Sequence, residues 1–189
     1  MRSSALFILV VLATVASQAS GQRLSFGRCP KVKIMPNFQP QLYLGNWYEY
    51  KKYFAIFQLG GTCTVANYVD NGHGVIGVVN KQYNPLLSRY NTIVGTATLK
   101  GEHGEAKLGV KFPSAGNIES PYWILDTDYV SYAVIFTCND FGLFNYQFAW
   151  VLTREPFPSD GTIRAADYVL KANGVSLEPF SKTSHKNCP

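Results

Sequence analysis

The chain has 189 residues, 47% hydrophobic and 15% charged, with 17 Lys and Arg against 12 Asp and Glu for a net charge of +5. The basic residues are scattered rather than gathered into a stripe, which argues against a nucleic-acid-binding protein and leaves the charge to aid solubility, with a mild preference for anionic ligands. The length fits one domain.

The N-terminus comes first in chain order. Arg2 precedes the apolar run ALFILVVLATVA (5–16) and the small residues SQASG. A basic start, an apolar stretch too short to span a bilayer and a small-residue cleavage site make residues 1–20 a signal peptide, cut near Ala19 to Gly21. Residues 21–189 are then one exported, extracellular domain. Removing Arg2 leaves 16 basic side chains against 12 acidic ones.

Strand signals fill the middle of the chain. Less regular candidates run over 47–52, 63–70, 75–80 and 90–99. In AKLGVKF, Ala106, Leu108, Val110 and Phe112 share one face and Lys107, Gly109 and Lys111 the other. Further strands are expected over 122–128 and 131–138. The stretch FNYQFAWVLTR puts Phe144, Tyr146, Phe148, Trp150, Leu152 and Arg154 on one face. An arginine in register with apolar and aromatic side chains needs a partner. Turn sequences at 70–74, 83–87, 100–105 and 113–121 separate the strands. One helix follows, capped by Ser159 or Asp160, running over 161–172 and closed by Asn173-Gly174. A last strand is expected over 175–180. Eight successive antiparallel strands can close into an up-and-down barrel just wide enough for one small ligand, with the C-terminal α-helix packed outside. The fold class is all-β.

Four cysteines, Cys29, Cys63, Cys138 and Cys188, follow the leader. An even count in an oxidising compartment reads as two disulfides, in any of three connectivities. Widely spaced cysteines and isolated His73, His103 and His185 give no metal-ligand pattern.

At this point the motifs resemble a family. GNW (45–47), TDY (127–129) and Arg154 are similar to the three signature regions of the lipocalins. YLGNWYE, ANY (66–68), PYWILDTDY (121–129), FAWVL (148–152) and the Cys-Pro pairs at both ends resemble the apolipoprotein D-like branch, secreted invertebrate and bilin-binding members included. The resemblance implies that Gly45, Trp47, Thr127, Asp128, Tyr129 and Arg154 build the closed end of the barrel. Arg154 would stack on Trp47 in a cation–π contact. It implies Cys29–Cys138 and Cys63–Cys188 disulfides, and ligand-pocket roles for Tyr43, Asn80, Phe112, Tyr122 and Trp150. A pocket arginine expected a few residues after Asn80 is replaced by Asn84-Pro85.

Alternating connections then place 53–62, 83–88, 113–121 and 139–143 at the mouth. These loops are apolar: Phe54, Ile56, Phe57 and Leu59 in the first, Leu86 and Leu87 in the second, Phe141, Leu143 and Phe144 in the last. Such side chains either fold back over the core or present a patch for a lipoprotein, a membrane or a second copy of the chain. Leu108, Val110, Phe112, Tyr146, Phe148 and Trp150 line the cup by their register. Lys51, Lys52 and Lys81 are expected at the mouth, facing a ligand's carboxylates.

The reading is a secreted carrier of a small hydrophobic ligand (a lipid, steroid, fatty acid or retinoid) with no cofactor required. The alternative cargo is a bilin such as biliverdin, or a carotenoid, as a bound chromophore; the aromatic cup suits flat conjugated molecules. Some lipocalins are thiol isomerases, which need a free thiolate, and both disulfides together use every cysteine. An enzyme is not expected.

Overall fold

The computed structural model describes residues 23–55 and 58–189. The predicted leader lies outside the described residues, as do Ile56 and Phe57.

The described residues form ten strands: β1 (Arg23–Phe26), β2 (Gly45–Tyr53), β3 (Thr62–Asp70), β4 (Val75–Asn84), β5 (Arg89–Leu99), β6 (Lys107–Lys111), β7 (Ser120–Thr127), β8 (Tyr132–Asp140), β9 (Phe144–Thr153) and β10 (Phe180–Lys182). The helices are the short α1 (Pro40–Tyr43) and α2 (Asp160–Ala172). Strands β2 to β9 pair antiparallel in chain order, and β9 pairs back onto β2, closing an eight-stranded barrel. β1 adds to β9 and β10 to β2, outside the ring. The predicted meander is therefore the observed one, with two additional edge strands.

Three boundaries differ. β4 runs on to Asn84, so Asn80 lies mid-strand opposite Ala66 rather than closing the strand before a turn. The expected strand over 175–180 is instead a turn, in which Phe180 N–H donates to the Leu177 carbonyl; pairing starts at Phe180. β6 is shorter than its alternating pattern, because Pro113 opens a helical turn after Phe112.

Two apolar layers hold the molecule. Inside the barrel, Trp47, Tyr43, Ile76, Val78, Ala97, Leu108, Ile124, Ile135 and Leu152 pack together in the closed half. Outside, Ala166 and Leu170 of α2 pack on Val134, Phe136, Ala149 and Val151 of β8 and β9. Helix α2 begins where the Ser159 hydroxyl accepts from the Thr162 N–H, carries Asp160 in its first turn and Lys171 in its last, and ends before Gly174 at φ +67°. Disulfides Cys29–Cys138 and Cys63–Cys188 tie both chain ends to the wall, in the pairing the resemblance implies.

Candidate functional site: a closed floor and an open cup

The floor is built around Arg154. Its Nε donates to the Tyr129 carbonyl, Nη1 to Asn46 and Nη2 to Leu42, at 2.9, 2.8 and 3.0 Å. Its guanidinium carbon lies 3.7 Å from the centroid of the Trp47 ring, within cation–π range. Burial lowers the Arg154 pKa, opposed by Tyr43 and Asp128. Trp47 is fully buried, and its indole N–H donates to the Tyr43 carbonyl at 2.8 Å. Gly45 sits at φ +94°, and a Cβ there would come within 3.4 Å of Arg154 Nη1, so the residue must be small and left-handed. The Asp128 carboxylate accepts from the N–H groups of Val130, Ser131 and Tyr132, bracing the turn whose carbonyl at Tyr129 holds Arg154. Burial raises the Asp128 pKa, but a hydrogen bond from the Ser131 hydroxyl and then the three backbone ones outweigh it, and the carboxyl ends below its usual value. Thr127 Oγ1 donates to the Tyr132 carbonyl and accepts from the Tyr129 N–H. All six signature residues thus meet at one end, and the odd arginine finds its partner.

Directly above lies a cluster of three phenols. Tyr122 OH is 3.0 Å from Tyr43 OH and 2.8 Å from Tyr68 OH. Burial pushes Tyr43 and Tyr122 well above the usual phenol range, and Tyr68 to about 12. Tyr43 is fully buried and stacks on Trp47, so it belongs to the floor; Tyr122 is the half-buried member that faces upward.

Above the phenols the wall opens. On β9 the outer face, Asn145, Gln147, Ala149 and Val151, is buried to 7% exposure or less. The inner face, Tyr146, Phe148 and Trp150, is only half-buried. An inner face more accessible than the outer one means an open lumen. Phe148 and Trp150 stack at 5.5 Å with 13° between planes, giving that wall a flat aromatic surface. Phe112 and Asn80 also face the lumen half-buried, whereas Leu108 and Val110 are packed into its lower wall. The predicted pocket residues therefore converge, divided between floor (Tyr43), lower wall (Leu108, Val110) and open cup (Asn80, Phe112, Tyr122, Tyr146, Phe148, Trp150).

The lysines do not stand as expected. A bulge between Glu49 and Lys51 breaks the alternation of β2. Lys51 pairs with Val151 on the outer face and bonds Asp167 of α2. Lys52 pairs with Trp150 on the inner face, but its ammonium is bound to the buried Glu49 carboxylate. Glu49 also accepts from Gln58 Nε2 at 2.7 Å and from the Thr183 hydroxyl. Lys81, opposite Val65 and exposed, points outward. Glu49, Gln58 and the wall oxygens of Thr64 and Thr137 are further polar groups of the wall that the sequence pattern did not single out. Glu49 shared the alternation of Trp47, and that signal was there to be read.

The mouth is apolar as predicted. Leu59, Leu86, Leu87, Phe141 and Leu143 are exposed, as are Ile118 and the β1 residue Phe26, while Phe54 folds back to half-burial. Closed-end tips carry Asn71, His73, Glu102 and Asp128.

A lipocalin-like domain model matches residues 39–185. Mouse apolipoprotein D is 38% identical, with 97% of this chain and 96% of that protein covered. The Lazarillo protein of Schistocerca americana is 29% identical, covering 100% of this chain and 89% of the other. Among solved structures, insecticyanin of Manduca sexta superposes with a TM-score of 0.77 at 21% identity, covering 88% and 91% of the two chains. Lobster apocrustacyanin A1 follows with a TM-score of 0.73 at 20% identity, covering 88% and 93%. The family model and the near full-length match agree with the floor signature and the closed barrel: the chain belongs to the lipocalin family, in its apolipoprotein D-like branch.

Proposed function

We propose that the mature chain is a secreted carrier that holds one small hydrophobic ligand in the barrel lumen. The observation that carries this reading is the reversed burial of β9, in which Tyr146, Phe148 and Trp150 are open to the cup while the outward residues between them are buried. A ligand covering about 300 Å² of apolar wall gains roughly 7 kcal/mol gross, and since a preformed aromatic wall keeps the association costs low, affinity in the micromolar range is expected. The signal-like N-terminus and two disulfides support export. All four cysteines are engaged in disulfides, so the activated thiolate of the isomerase reading has no source.

A pigment cargo, bilin or carotenoid, is the second reading, favoured by the flat stacked face of Phe148 and Trp150. The exposed apolar tips of the open end also fit docking on a lipid or lipoprotein surface during loading. The test is an absorbance spectrum of protein from its native source, before and after solvent extraction, with mass spectrometry of the extract. A visible band lost on extraction selects the pigment; a colourless lipid extract selects the general carrier. An extract with no small molecule in stoichiometric amount counts against both.

A further inference from the structure

The polar groups of the lumen bear on what kind of ligand it accepts. Lys52 is the one lysine whose register points it into the wall beside Trp150, and Glu49 neutralises it. Both members are buried, at 2% and 7% exposure, and Gln58 and Thr183 fill further positions on the same carboxylate. Arg154, the other inward cation, lies beneath Trp47 with its three nitrogens committed to backbone carbonyls. Lys81, Lys107 and Lys111 stand on the outer face. Arg89 has a lumen-side register opposite Asn84, but at the tip of the β4–β5 hairpin, in solvent. Among the described residues, the cup below the rim thus offers no uncommitted cation.

What it does offer is neutral and unspent. Asn80 Oδ1, Thr64 Oγ1 and Thr137 Oγ1 are buried oxygens without a hydrogen-bond partner among the described residues. Thr64 and Thr137 are 6% and 5% exposed. Register puts Thr137 beside Phe148 and Asn80 opposite Ala66, on lumen-facing positions. β4 and β8 are four strands apart in either direction around an eight-strand ring, so Asn80 and Thr137 stand on opposite walls. A buried polar oxygen left unpaired is costly, and a ligand that pairs it recovers that cost on binding. A carboxylate entering the same space would lose its hydration and meet no free positive charge.

We infer that the cup selects uncharged ligands bearing hydroxyl or N–H groups, reached by Asn80 and Thr137 from opposite walls, and discriminates against the corresponding carboxylates. This rests on the carrier reading and specifies its ligand class.

The test uses the matched pair all-trans-retinol and all-trans-retinoate, which share a skeleton and differ in the head group, titrated at neutral pH against the full mature chain. Retinol is expected to bind about tenfold more tightly than retinoate. Retinol has one hydroxyl, so one of Asn80→Leu and Thr137→Val, on whichever wall the head group meets, should weaken retinol by about three- to tenfold and leave retinoate little changed; retinol affinity unchanged in both variants overturns the inference. Glu49→Gln frees the Lys52 charge and should raise retinoate affinity relative to retinol by about tenfold. The double variant Glu49→Gln/Lys52→Gln carries neither charge and should return the ratio to that of the native chain, which separates released charge from altered packing. Retinoate binding as tightly as retinol, or a ratio that Glu49→Gln leaves unmoved, overturns the inference. Failure of both probes to bind contradicts the carrier reading itself.

Discussion

Replacing Arg154 by Met probes the floor while keeping the length of the side chain. The change removes three charge-assisted hydrogen bonds to the carbonyls of Leu42, Asn46 and Tyr129, together with the stack on Trp47. Each such bond contributes about 1.5 kcal/mol in a shielded site, and the bonds to Leu42 and Asn46 lie toward solvent, so roughly 2 kcal/mol remains for the three. The stack adds about 1 kcal/mol. The expected loss is therefore about 3 kcal/mol, or a drop in Tm of about 6–12 °C for a domain of this size. Urea denaturation should show a lower midpoint at unchanged slope, and Trp47, stripped of its cover, should emit further to the red. Arg154→Lys keeps the charge but loses the planar fork, and should recover only part of the loss. A midpoint for Arg154→Met within about 0.5 kcal/mol of the parent, the level of an ordinary surface substitution, would refute the view that this side chain holds the floor closed.

Further predictions concern pH and covalent ties. Asp128 has a lowered folded pKa, so it stabilises the protein above the unfolded carboxyl value of about 4 and loses that contribution as the pH falls through its folded value; Asp128→Asn should flatten the acid limb of stability against pH. Tyr68, raised to about 12, stabilises fully below the unfolded phenol value of about 10 and progressively less between there and pH 12. Phenolate absorbance should accordingly show the Tyr43, Tyr68 and Tyr122 group titrating late, in step with alkaline unfolding. The disulfides close loops with separations of 109 and 125 residues. Loop entropy then gives each about 4–5 kcal/mol as an upper figure, and reduction should lower Tm more than any single substitution above.

The barrel was legible because its strands alternate and its turns are marked by Gly, Asn and Pro; eight strands and α2 follow from those signals. β1 was not, since RLSF is four residues long and draws its order from pairing with Asn145 and its neighbours on β9. The end of β4 was missed because NKQYN reads as polar turn sequence, yet it forms a projecting hairpin with β5. The lysine assignment failed for a sharper reason. Strict alternation from Trp47 places Lys51 inside with Glu49, but the bulge between Glu49 and Lys51 shifts the register, so Lys51 faces α2 and Lys52 faces the lumen. No local pattern announces a bulge, so side-chain direction beyond it had to come from the paired strand. The aromatic wall of the site survived because β9 has no such break.

We propose that the lumen, and not the outer surface or the mouth loops, holds the ligand. Titrating the mature chain with all-trans-retinol while following tryptophan emission tests it most directly when paired with Ala66→Trp. That variant places bulk in the cup between Asn80 and Trp47, the two residues that Ala66 pairs with on β4 and β2. A lumen site should give one saturable transition of micromolar affinity in the native chain, quenching that fades in Trp150→Phe, and binding abolished in Ala66→Trp with its thermal unfolding still cooperative. Undiminished binding by a folded Ala66→Trp variant would contradict it.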